Sequence, residues 1–135
     1  MAAPEKSEQQ LVDQWRDLLA VHARTLCELD RVLQRLGLGA SDVEVLDVLA
    51  AGTTADGDTG YRVQEIADRV HLSQSALSRL VGRLERDGLV ERCVCLEDRR
   101  GVWVTLTPKG RALHAEALPL KRAVLGRMLA RGSQG

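Results

Sequence analysis

Residues 8–36 place apolar side chains at helical intervals, Leu11, Trp15, Leu18, Leu19, Leu26, Leu29, Leu33 and Leu36, with His22 on the same stripe. Ser7 followed by Gln10 is a capping-box start, and Gly37 is a natural stop. The spacing predicts a single amphipathic helix of about 29 residues, some 40 Å long at about 1.5 Å per residue. A globule built from 135 residues cannot cover a stripe of that length completely. The folds open to this chain are therefore those in which a partner, most simply a second copy, finishes the core.

The remaining bounds are ordinary. A length of 135 residues with 44% hydrophobic side chains suits one folded domain. No apolar run approaches the roughly 18 residues of a membrane span, and the opening "MAAPEKSEQQ" lacks a basic stretch followed by an apolar one, so the expected location is the cytoplasm. Three cysteines without CxxC spacing fit a reducing compartment and give no disulfide framework. The net charge of zero conceals a gradient: residues 1–61 carry eleven acidic and five basic side chains, whereas residues 62–111 carry ten basic and seven acidic. An acidic half joined to a basic half is the pattern of a module that offers one face to a polyanion.

"SDVEVLDVLAAG" reads as a short second helix, with Ser41 and Glu44 as its capping box and Gly52 as its stop. The next stretch, "TTADGDTG", is a polar loop. Its Asp56, Asp58 and Gly60 resemble a calcium loop only superficially, because Tyr61 stands where the glycine is needed and Ala67 where the closing glutamate is needed. "RVQEIADRV" then sets Val63, Ile66, Ala67 and Val70 at helical spacing, and Ser73 is the N-cap of another helix. Two short helices joined by so few residues form a helix-turn-helix candidate in which the small Ala67 permits a close crossing.

On a helical wheel, Leu77, Leu80, Val81 and Leu84 cluster on one side of this second helix. Ser75, Ser78, Arg79, Gly82, Arg83 and Arg86 point away, with Gln74 near the boundary. An interior glycine costs a helix roughly 1 kcal/mol relative to alanine, so Gly82 asks for close approach to its backbone. A DNA groove supplies that reason: small residues admit the helix, Ser and Gln bond phosphates or base edges, and Arg does either. The bland alternative is an ordinary solvated face.

The segment beyond this helix favours DNA. Gly88 ends the helix, and "LVERCVCL" and "VWVTLT" read as strands around "EDRRG". A hairpin directly after a recognition-type helix, with arginines at its tip, is a wing. Arg99 and Arg100 are placed for a minor groove, and Asp98 for orienting a guanidinium. Thr107 and Pro108 open a last helix with a stripe of Leu113, Ala117, Leu120, Val124 and Met128, which Pro119 is expected to kink or divide. The expected fold is mainly α with a small β-hairpin wing.

"VQEIADRVHLSQSALSRLVGRLERDGLVER" followed by "DRRGVWVTLTPKGRAL" resembles the MarR family of bacterial winged-helix transcriptional regulators, over roughly residues 38–118. The resemblance implies a single domain, 1–135, with dimerisation helices at 8–36 and 108–131 and a winged helix-turn-helix at 38–107. It implies a homodimer whose recognition helices enter successive major grooves of a pseudo-palindromic operator. It further implies a repressor, released from double-stranded DNA by a small aromatic ligand or by cysteine oxidation, with no cofactor. The family's D-x-R wing signature falls on Asp98 and Arg100. Ser73, Gln74, Ser75, Ser78, Arg79 and Arg83 are then expected to serve the major groove and its phosphates, and Asp98, Arg99 and Arg100 the wing. Many members carry a further helix beyond the one that begins here at Pro108, and the loop at 52–60 is longer than usual.

Residues suited to sensing are fewer. Cys93 and Cys95 share a strand face but stand too far apart and too parallel for an easy mutual disulfide, so packing is their ordinary role. Cys27 lies off the first helix's stripe and is accessible if the partner does not cover it, and redox sensing is the second role open to any of the three cysteines. Trp15 and His22 are first of all interface residues, and second of all candidates for lining an effector site. His71 and His114 make no ligand spacing with the cysteines, so no metal is expected. No nucleophile–base pair, paired carboxylates, phosphate loop or dinucleotide fingerprint points to an enzyme. The alternative from another class is a winged-helix protein-interaction module without specific DNA binding.

Overall fold

The computed structural model describes residues 5–52, 60–94 and 102–132. Helix α1 spans Glu8–Leu33 and opens on the expected reciprocal cap: Ser7 Oγ accepts from the Gln10 amide at 3.1 Å, and Gln10 Oε1 accepts from the Ser7 amide at 2.8 Å. The last expected turn tightens into a 3₁₀ segment, Gln34–Leu36, which ends on Gly37 in the left-handed region at φ 73°. Then come α2 (Ala40–Ala51), α3 (Val63–Val70), α4 (Gln74–Arg86) and α5 (Pro108–Gly132). Strands β1 (Tyr61–Arg62), β2 (Val90–Val94) and β3 (Val102–Leu106) form an antiparallel sheet in the order β1-β3-β2.

Three sequence expectations need correction. Helix α2 does not start on a Ser41–Glu44 box. It starts at Ala40, where Asp42 Oδ2 accepts from the Gly39 amide at 2.7 Å and Asp30 Oδ1, reaching from α1, accepts from the Ala40 amide at 2.7 Å. Ser41 lies inside the helix. The wing is not an isolated hairpin, because β1 pairs Tyr61 with Val104 and Arg62 with Trp103. Of the two effects expected at Pro119, kinking or dividing the last helix, division does not occur: α5 runs through it.

The core lies where α2, α3, α4 and the sheet meet: Val43, Val45, Leu46, Leu49, Ile66, Leu77, Val81, Leu84, Val90 and Val104 are all buried. A second contribution comes from the C-terminal half of α1, through Leu29, Val32 and Leu33, and from Ala117 and Val124 on α5. The N-terminal half of α1 is covered by nothing among the described residues. Leu11, Val12, Trp15, Leu18 and Leu19 stay exposed, Trp15 and Leu18 at 60% and 57% of their surface. Fully covering such side chains is worth about 1.5–3 kcal/mol each, so the uncovered stripe leaves a large apolar driving force unused in the single chain.

Candidate nucleic-acid interface

The turn between α3 and α4 is fixed by two local devices. His71 ends α3 in the left-handed region at φ 59°, with its amide donating to the Ala67 carbonyl at 3.2 Å. Ser73 then caps α4, its Oγ accepting from the Ala76 amide at 3.2 Å. Ala67 and Ile66 are buried against the apolar side of α4, where Leu77, Leu80, Val81 and Leu84 all turn inward as the wheel predicted. Gln74 Nε2 donates to Gln64 Oε1 and ties the start of α4 to α3.

The outward side of α4 is therefore the intended one. Ser73, Gln74, Ser75, Ser78, Arg79 and Arg86 are all exposed, and Ser73 Oγ lies 3.4 Å from Ser75 Oγ. Among the described residues neither Arg79 nor Arg86 has an acidic partner. Arg83 departs from the expected set: its guanidinium turns aside to the buried carboxylate of Asp42 on α2. At Gly82 an added Cβ would meet, among the described residues, only the Arg92 guanidinium, at 3.7 Å, so none of them requires the glycine.

The sheet is bound to this helix. Arg92 on β2 pairs with Glu85 of α4 at 3.7 Å, and across the sheet Cys93 faces Trp103. The Arg62 guanidinium lies 5.1 Å from the Trp103 ring centre, a cation–π contact that ties β1 to β3. Cys93 is exposed on β2. Asp98, Arg99, Arg100 and Cys95 lie outside the described residues. The junction with α5 is close-packed: Thr107 Oγ1 donates to the Gly88 carbonyl at 2.6 Å and accepts from the Gly110 amide at 3.0 Å. A methyl group on Gly110 would lie 2.0 Å from the Leu89 carbonyl oxygen, so the approach of α5 to β2 requires glycine there.

A second polar joint, invisible in the sequence, connects α2 with α5. Asp47 receives both His114 and Lys121, and Lys121 also reaches Glu44 at 2.7 Å. Burial opposes the charge on Lys121, but the hydrogen bonds and charges of Asp47 and Glu44 outweigh it and hold the ammonium above its ordinary range. Of the candidate sensing residues, Trp15, His22 and Cys27 are exposed on α1 and converge on no common pocket among the described residues. No described group of His, Cys, Asp and Glu is arranged to hold a metal ion. No described helix is long and apolar enough to cross a membrane.

A family model described as MarR family matches residues 36–101. The transcriptional activatory protein BadR of Rhodopseudomonas palustris is 35% identical over 100 residues, which are 73% of this chain and 55% of that protein. The chain spans about half the length of the curated relatives it matches. Among solved structures, a MarR-family transcriptional regulator from Silicibacter pomeroyi is 32% identical, with a TM-score of 0.67, 82% of this chain and 70% of that one being covered. Sco3205, a MarR-family transcriptional regulator from Streptomyces coelicolor solved in complex with DNA, is 28% identical, with a TM-score of 0.78 and coverage of 97% and 79%.

Proposed function

Because this chain belongs to the MarR family, we propose that it is a homodimeric, sequence-specific regulator of transcription that acts on double-stranded DNA in the cytoplasm. The observation that carries the reading is the outward face of α4. It offers Gln74, Ser75, Ser78 and Arg79 beside a glycine that none of the described residues requires. Short hydroxyl and amide side chains can reach base edges, and the guanidiniums of Arg79 and Arg86, without an acidic partner among the described residues, meet phosphates. Two copies related by a two-fold axis would set two such helices into successive major grooves, about one helical turn apart, on a pseudo-palindromic site. Arg100, with Arg99 and Asp98 beside it, serves the minor groove from the wing.

The exposed stripe of α1, together with the end of α5, is the dimer surface in this reading. Residues 8–36 and 108–131 serve dimerisation, and residues 38–107 serve DNA. Curated relatives include one named as an activator and one named as a repressor. The sign of regulation follows from whether the site overlaps the promoter or lies upstream of it. A small aromatic ligand bound beside Trp15 and His22, or oxidation of Cys27, Cys93 or Cys95, would release DNA by altering the dimer or the wing. The reading calls for no cofactor and no catalytic step.

Fluorescence anisotropy with the DNA upstream of the protein's own gene and a scrambled duplex, at two salt concentrations, tests the reading. Tight binding to the upstream DNA that weakens steeply with salt is expected. Equal and weak binding to both, repeated with duplexes selected from the whole genome, would exclude a DNA-reading function and leave a protein-interaction module.

A further inference from the structure

Arg83 sits among the basic residues of α4, yet its guanidinium is held by Asp42, which lies 41 positions earlier on α2. The two partners are unequal: the Asp42 side chain is 2% exposed and that of Arg83 is 50% exposed. Both carboxylate oxygens are engaged, Oδ1 with Arg83 and Oδ2 with the Gly39 amide at 2.7 Å. The neighbouring Ala40 amide is taken by Asp30 of α1, so the start of α2 is anchored on two sides. Almost no solvent reaches Asp42 to replace a departing guanidinium. Moving Arg83 to a surface phosphate would leave a buried anion without its counter-charge, which costs more than a solvent-screened contact returns. The pair therefore outlasts the approach of DNA.

Resting on the DNA-binding reading above, we propose that Asp42 is a specificity-determining positioning residue that withholds the Arg83 guanidinium from the phosphates and fixes the roll of α4 against the start of α2. Phosphate contacts strengthen binding to every sequence alike, whereas base contacts discriminate. Retaining one guanidinium inside the protein lowers the sequence-independent part of the affinity and leaves the discriminating part to Gln74, Ser75, Ser78 and Arg79.

The test is the salt dependence of binding to operator and to random duplex for the wild type, Asp42→Asn, Arg83→Gln and the double variant. Asparagine can still accept from the Gly39 amide, and glutamine can still donate to Asp42, so both single variants keep part of the local bonding; circular dichroism verifies their folding. Asp42→Asn should steepen the dependence of log Kd on log salt by about 0.9 on operator and random duplex alike, one added phosphate contact, and the released roll of α4, by misaligning its base contacts, should narrow the ratio of operator to random affinity. Arg83→Gln should keep the wild-type slope, and the double variant should return to it. A slope flattened by Arg83→Gln alone would overturn the proposal, because Arg83 would then already be a phosphate contact. An unchanged slope in folded Asp42→Asn would overturn it too, and if that variant does not fold the Arg83→Gln slope decides alone. Absence of salt-dependent binding by the wild type would overturn the DNA-binding reading together with this one.

Discussion

A glycine in the middle of a helix costs α4 roughly 1 kcal/mol against alanine, and none of the described residues offers anything in return. The Arg92 guanidinium at 3.7 Å is ordinary contact distance for a methyl group. Gly82→Ala should therefore raise thermal stability by up to about 1 kcal/mol while weakening operator binding, two effects of opposite sign. Thermal melting and anisotropy on one preparation check both; a gain in stability with unchanged affinity would show that no groove approaches that backbone. At the wing, Arg100→Ala should weaken operator binding at least tenfold, about 1.4 kcal/mol, and an unchanged affinity would remove the wing from the interface. The inward turn of Leu77, Leu80, Val81 and Leu84 and the exposure of Ser75, Ser78 and Arg79 opposite them are legible in the sequence because they rest on local periodicity. The departure of Arg83 is not, since a helical wheel knows nothing of a carboxylate on another helix.

Between elements, the α2–α5 joint has its own pH signature. The Lys121 ammonium is held above the ordinary lysine value of 10.5 by Asp47 and Glu44 against the opposing effect of burial. A group whose folded pKa is raised contributes stability fully below its unfolded value and loses it as pH climbs through the folded one. Wild type should lose that increment only above about pH 10.5, the unfolded lysine range, and Asp47→Asn should lower stability at neutral pH and diminish the alkaline loss. Melting curves between pH 7 and 11 (a range set by about 10.4 for free lysine) decide it, and parallel curves for the two proteins would leave the joint without energetic weight. Element starts and stops at Ser7, Gly37, Gly52, Ser73, Gly88, Thr107 and Pro108 can be read from the chain, because caps act within one turn. The start of α2 cannot, since Asp30 reaches it from another helix. Strand β1 cannot either: two residues are too few for alternation to register, and only their pairing with Val104 and Trp103 makes them a strand.

At the scale of the molecule, the proposed dimer rests on the exposed stripe of α1. Leu18, 57% exposed, sits in its middle. Leu18→Glu would put a charge into any interface formed there, so it should give a monomer of unchanged secondary structure, whereas the wild type should sediment as a dimer with a melting temperature that rises with concentration. A wild type that sediments as a monomer at micromolar concentration would refute the dimer. The same loss of pairing should weaken operator binding, because each copy would then reach one half-site alone.

The pairing of Tyr61 with Val104 has a consequence of another kind. It fastens the chain to itself across residues 61–104, and the turn, α4 and the span between β2 and β3 all lie inside that closed loop. Drawing the ends of such a loop together has an entropy cost that grows with the logarithm of its length. Here that cost is met when the chain folds. Whatever the enclosed residues touch afterwards meets a frame whose ends are already joined, so the free energy of contact is left for recognition and not for assembling the surface that recognises.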